Sequence, residues 1–221
     1  MIVRPSPTPE APGSAFEIYM LRRSAKSPFM PSTLVYPGGR VDPEDGPEDE
    51  DETWVRAGRR ECLEEAGLDP GPDLRWFDTW LTPSAESRRR YLARFFLARL
   101  EAGAGEEAEA DGTETHAGRW NTVAEHLAQW ERKEVDLPPP TLCTLLRMRG
   151  WTWNDLDHLH SMDPSGVILP KVELTSTGPV IVMPHDPDYP ALDGEALPAP
   201  ARASELPRRF VRDTTIWKPA T

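Results

Sequence analysis

Short apolar runs of strand length alternate with turn-rich polar stretches along the first hundred residues. Phe16 to Leu21 and Thr33 to Tyr36 are two such runs, separated by the turn-rich segment Ser24 to Ser32. Pro37-Gly38-Gly39 ends the second one sharply. From Thr53 to Ala66 the period changes, and Val55, Gly58, Cys62 and Ala66 form a small apolar stripe at i, i+3, i+7 and i+11, which predicts a helix. Gly67 in the C′ position and Pro70 beyond it supply the stop. Trp76 to Leu81 and Tyr91 to Leu100 predict two further strands around the polar turn Pro83 to Arg90. Thr122 and Glu125 form a capping box for a helix reaching about Arg132, and Pro138 to Pro140 precede a second helix carrying Leu142, Leu145 and Leu146. Val180 to Met183 predicts a late strand.

These elements suggest three divisions. Residues 1–15, polar and proline-rich from Arg4, predict a flexible N-terminal arm; residues 16–150 form the domain; residues 151–221 are a proline-punctuated extension packed on it. Proline, at 25 of 221 residues, is roughly twice its usual share, so stiff loops are expected. The formal charge of −12 argues against a nonspecific binder of nucleic acid or anionic membranes. No run approaches the length of a membrane span and no signal-peptide core is present, which predicts a cytoplasmic protein. Cys62 and Cys143 are too few and too far apart for a disulfide framework or a zinc site, and both read as small buried hydrophobes. Arginine outnumbers lysine 21 to 4, as in chains from GC-rich bacterial genomes.

The chemistry concentrates on the predicted helix. Glu61, Glu64 and Glu65 stand at i, i+3 and i+4, which places three carboxylates on one face. Like charges so spaced repel unless a cation offsets them, and hard divalent ions such as Mg²⁺ prefer such oxygens. A solvated acidic face served by Arg59 and Arg60 is the alternative reading of the cluster alone.

The wider context matches the signature G-x5-E-x7-R-E-U-x-E-E-x-G-U, with U apolar, through Gly46, Glu52, Arg60, Glu61, Cys62, Glu64, Glu65, Gly67 and Leu68. In this the chain resembles the Nudix hydrolases. The resemblance implies an α/β (α+β) fold, an α/β/α sandwich with a mixed sheet between helices, and hydrolysis of a diphosphate linking two moieties with Mg²⁺ or Mn²⁺ as cofactor. The family's first glycine normally belongs to a Gly-Gly pair ending a strand, and here Gly38-Gly39 stands seven residues before Gly46. Asp42 to Glu52 is therefore expected to contain a seven-residue acidic insertion, with Gly39 as the loop glycine and Glu52 as the partner that orients Arg60. The implied metal site is Glu61, Glu64, Glu65 and Gly39; the implied catalytic residues are Glu64, Glu65 and Arg60. Glu114, six residues before Trp120, matches the spacing of a fourth carboxylate in family members and is expected to act as a base.

Within the family, Leu21-Arg22-Arg23-Ser24, Ser27 to Pro31, Val35 to Gly39, and Thr82-Pro83 with Arg89-Arg90 are similar to the coenzyme A and acyl-coenzyme A diphosphatase branch, whose first strand is here shortened to Met1-Ile2-Val3. That similarity implies a nucleotide-linked small-molecule substrate whose 3′-phosphate meets Arg22, Arg23, Arg89 or Arg90, with Lys26 and Arg88 nearby. A Nudix enzyme acting on ADP-ribose, NADH or nucleoside polyphosphates, and a Nudix-like binding module without turnover, are the two other readings. The oligomeric state is open between monomer and homodimer.

Overall fold

The computed structural model describes residues 1–9, 13–24, 32–83, 90–106 and 115–220, the stretch 115–117 as backbone. Strand β1 (Ile2–Pro5) runs antiparallel to β2 (Phe16–Arg23) and parallel to β5 (Leu92–Arg99), so the sheet is mixed. The expected arm at residues 1–15 therefore begins as an interior strand. Ile2 and Val3 alternate across the sheet, one into each core, and the proline-rich composition takes over only at Pro5, where the strand ends.

β2 is the hub. β1 and then β3 (Leu34–Val35) follow one another along one edge, and β6 (Thr115–Thr122) pairs along the other. β4 (Arg75–Leu81) pairs antiparallel with β5, giving a six-stranded sheet ordered β3-β2-β1-β5-β4 with β6 on β2. Alternation along β2 sends Phe16, Ile18 and Met20 to one face and Tyr19 and Leu21 to the other. Each such side chain, buried, contributes roughly 1.5–3 kcal/mol. Helix α1 (Asp51–Ala66) covers the Tyr19 face through Cys62 and Ala66. α2 (Val123–Glu131) and α3 (Pro139–Arg147) cover the Phe16 face through Val123, Leu127, Leu142 and Leu145. The result is the expected sandwich of a mixed sheet between helices. The capping box of α2 forms, with Glu125 N–H donating to Thr122 Oγ1 and Thr122 N–H to Glu125 Oε2.

After α3 come a short helix α4 (Asp157–Ser161) and an antiparallel sheet of β7 (Lys171–Thr175), β8 (Gly178–Val182), β9 (Arg209–Asp213) and β10 (Ile216–Pro219), ordered β10-β9-β8-β7. Ile181, Phe210, Ile216 and Trp217 join the main core, and the Trp130 indole donates to Trp217 O at 2.8 Å. Ile168 bridges to β4, with Ile168 N–H donating to Thr79 O at 2.9 Å and Leu81 N–H to Ile168 O at 3.0 Å. No helix among the described residues is long and apolar enough to cross a membrane.

Candidate active site

The sequence of α1 separates packing from chemistry. Thr53, Ala57, Cys62 and Ala66 are its buried residues; Val55 and Gly58, expected in the apolar stripe, stay partly exposed because the buried line is rotated toward Thr53 and Ala57. Gly67 ends the helix at φ 62°, its N–H on Leu63 O, while Leu68 N–H reaches Cys62 O. Glu61, Glu64 and Glu65 line a cleft beside the Gly38-Gly39 turn. Gly38 N–H donates to Glu65 Oε2 at 2.9 Å. A Cβ on Gly39 would lie 2.3 Å from Glu61 Oε1, so only glycine lets the carboxylate approach.

Arg60 ties the cluster together. Its Nη1 donates to Glu61 Oε1 at 3.0 Å and Glu64 Oε2 at 3.1 Å, and its Nη2 to Arg40 O at 2.8 Å. The orienting partner is Asp45, reached from Nε at 3.2 Å and Nη2 at 2.9 Å. Asp45 is buried, further fixed by Asp42 N–H at 2.8 Å, and the Arg60 guanidinium holds its carboxyl below the usual carboxylate range. This corrects the expectation for Glu52, which stands exposed in the first turn of α1. Counted from Gly39, position 45 is where G-x5-E requires its acidic residue, so the seven extra residues lie between Asp45 and Arg60. Gly46 serves the turn into α1 instead. At φ 121°, any side chain there would be strained, and its Cβ would meet Thr53 Oγ1 at 2.8 Å.

Burial raises the pKa of Glu61, Arg60 opposes the shift, and Glu64 and Asp42 add to it. A carboxylate that burial and like charges make costly to ionise is one that a divalent cation relieves. Arg60 Nη1 already bridges Glu61 and Glu64, so these oxygens reach a common positive centre. The donor set thus fits a hard cation in type, while among the described residues no three acidic, His or Cys side chains are gathered closely enough to hold a metal ion.

The cleft measures about 1680 Å³ and also contains Arg23, Tyr36, Arg40, Trp54, Trp80, Arg90, Tyr91, Arg94 and Phe95. Arg23 and Arg90 therefore share one space with the three carboxylates. Arg22, next to Arg23 on β2, is exposed and is not part of the lining. Arg89, Glu114, Lys26 and Arg88 lie outside the described residues. Arg90 pairs with Glu195 from the C-terminal extension and donates from Nε to Thr82 O at 3.2 Å. Arg94 lies between the Trp54 and Trp76 rings at 4.5 and 4.2 Å and pairs with Asp51 at 2.5 Å. Sequence reasoning missed Asp45, Arg40 and Arg94; for Asp45 the count from Gly39 was the available signal.

The family model of the NUDIX domain matches residues 12–139, more than half of the chain. A NUDIX hydrolase from Alicyclobacillus acidocaldarius is 20% identical with a TM-score of 0.60, over 75% of this chain and 96% of that one. The NUDIX domain of Shewanella oneidensis NrtR, solved with ADP ribose, is 16% identical with a TM-score of 0.45, over 67% and 84%. C. elegans Ap4A hydrolase is 18% identical with a TM-score of 0.40, over 66% and 89%. Among curated proteins none matches. With the matched span covering β2 to β6, the Gly-Gly turn and the carboxylate helix, this chain belongs to the Nudix family of hydrolases, which act on phosphoric anhydrides.

Proposed function

We propose that the protein hydrolyses the diphosphate linkage of coenzyme A or acyl-coenzyme A, with Glu61, Glu64 and Glu65 holding Mg²⁺ or Mn²⁺. Nudix hydrolases generally use divalent metal ions. When bound, the cation neutralises charge on the phosphoryl oxygens. The chain's own residues do the rest. Arg60, locked by Asp45, fixes the side chains of Glu61 and Glu64 and so preorganises the acidic face. Gly39 leaves room for Glu61, and the Gly38 N–H orients Glu65. A carboxylate not engaged by the cation takes the proton from the attacking water; Glu114 is assigned this part by its spacing from Trp120. Arg23 and Arg90 receive the substrate's phosphates away from the reacting linkage.

The observation that carries this reading is the pairing of an acidic, arginine-locked helix face with a cleft of about 1680 Å³, mostly apolar, in one continuous space. Ordinary small-ligand pockets hold roughly 300–1,000 Å³, so a long substrate with an apolar part suits this one. The decisive experiment is a phosphate-release screen with Mg²⁺ and Mn²⁺ over coenzyme A, acyl-coenzyme A, ADP-ribose, NADH and dinucleoside polyphosphates. Highest kcat/KM on coenzyme A or its esters supports the assignment; preference for any of the others replaces it.

A further inference from the structure

The cleft runs inward from the carboxylate face to side chains that belong to the core. Tyr36, Trp80 and Ile181 are 8%, 4% and 3% exposed, yet each lines it, together with the buried Pro139 and Pro170. Pro170 and Ile181 lie beyond the matched NUDIX span, so this part of the wall comes from the C-terminal extension. The wall is rigid. Ile168 is hydrogen-bonded to Thr79 and Leu81 on β4. Arg202 donates to Asp78 Oδ1 at 2.8 Å, both side chains being buried, and Asp78 Oδ2 accepts from the Trp80 indole at 3.0 Å. A residue of the extension thereby fixes a ring of the cleft.

Two features describe the ligand that suits this inner space. Rings that could sandwich a nucleobase are already engaged: Tyr36 packs edge-on against Phe95, Trp54 and Trp76 flank Arg94, and Tyr91 lies under Arg40. The rim cation Arg94 is neutralised by Asp51. Around Pro139, Pro170, Ile181 and Trp80 the inner lining offers apolar surface beside the Tyr36 hydroxyl. The Tyr36 hydroxyl is buried and faces the Thr144 side chain. A phenolic O–H rotates about its C–O bond, so it can turn to an acceptor entering the space.

We infer that the inner cleft is a subsite for an aliphatic acyl chain, with the chain against Pro139, Pro170, Ile181 and Trp80 and its carbonyl accepting a hydrogen bond from Tyr36. The ligand class is an uncharged acyl ester or thioester. The inference rests on the acyl-coenzyme A reading above and deepens it by assigning chain selection to the C-terminal extension. Each methylene buried there should tighten binding up to about fourfold.

The test is calorimetric, with probes that carry neither diphosphate nor nucleotide: decanoyl-N-acetylcysteamine, its acetyl counterpart, and the decyl thioether lacking the carbonyl. The decanoyl thioester should bind at least tenfold tighter than the acetyl one, and Ile181→Trp, with its fold checked by thermal melting, should remove most of that preference. Tyr36→Phe should weaken the decanoyl thioester three- to tenfold and spare the thioether. Equal binding of decanoyl and acetyl probes overturns the subsite, and an equal effect of Tyr36→Phe on the decanoyl thioester and the thioether overturns the carbonyl contact. Chain-length preference without turnover of coenzyme A esters upholds the subsite and removes the coenzyme A reading; turnover without preference does the reverse.

Discussion

Asp45 and Arg60 meet through two hydrogen bonds, Nε to Oδ1 at 3.2 Å and Nη2 to Oδ2 at 2.9 Å, although fifteen residues separate them. The same guanidinium reaches Glu61 and Glu64 through Nη1. A buried carboxylate thus sets the direction of the arginine, and the arginine sets the acidic face.

Asp45→Asn keeps the shape and removes the charge that anchors Arg60. It should lower kcat by at least tenfold, because charge-assisted pairs of this geometry are the stronger kind and the acidic face loses its brace. Glu52→Gln, in the exposed first turn, should leave kcat within twofold. Steady-state kinetics of both variants on one substrate decide the matter, and equal behaviour would return the orienting role to Glu52.

The carboxylate face was legible in the sequence because a single helix carries it: the spacing of Glu61, Glu64 and Glu65 survives whatever the loops do. Asp45 was not, because an insertion separates it from Arg60 and the written pattern is satisfied by Gly46 and Glu52 as well. In the structure the close approach of Gly39 to Glu61 and the pairing of Asp45 with Arg60 distinguish the two registers. β1 was legible only through the resemblance, as the shortened strand Met1-Ile2-Val3, because the prolines that follow it read as an arm. Of the C-terminal sheet only β8 was legible, as Val180 to Met183; β7, β9 and β10 were hidden because they are four or five residues long and pack against partners far away in sequence.

Glu64→Gln and Glu65→Gln test the metal assignment. Each should reduce turnover by at least a hundredfold, while the melting temperature changes little because Glu64 is exposed and Glu65 only half-buried. Near-wild-type turnover with metal still required would rule the residue out as a ligand.

The acidic segment divides into two parts. Glu44, Glu48 and Asp49 are exposed, so converting all three to the corresponding amides should keep kcat within twofold. Deleting residues 44–50 removes Asp45 as well and should cost as much as Asp45→Ala. A deletion with full activity would show that Arg60 needs no buried partner.

Arg90 is held by Glu195 rather than directed into the cleft by solvent alone. If Arg90 receives the 3′-phosphate, Glu195→Gln should free it and lower KM for coenzyme A relative to dephospho-coenzyme A by about twofold or more, and Arg90→Ala should erase that discrimination. Parallel changes on both substrates would remove Arg90 from phosphate recognition.

His126 makes the fold sensitive to acid. Its ring on α2 is fully buried against β2, Nε2–H donates to Ile18 O at 3.1 Å, and Nδ1 has no partner among the described residues. Burial lowers its pKa from 6.5 to about 4. Between those values the unfolded chain binds the proton and the folded chain does not, so stability is full above pH 6.5 and falls as the pH drops toward 4. The linkage amounts to about 2 kcal/mol at pH 5, approaching about 3 kcal/mol near pH 4. His126→Gln retains a donor for Ile18 O without a titrating ring and should lose correspondingly less stability between pH 7.5 and pH 5. His160 and His185 are shifted in the same direction but remain in both proteins, so they cancel in the comparison. Urea midpoints at the two pH values measure the difference; identical pH slopes for wild type and variant would mean that the ring is protonated in the native state and that Nδ1 has found an acceptor.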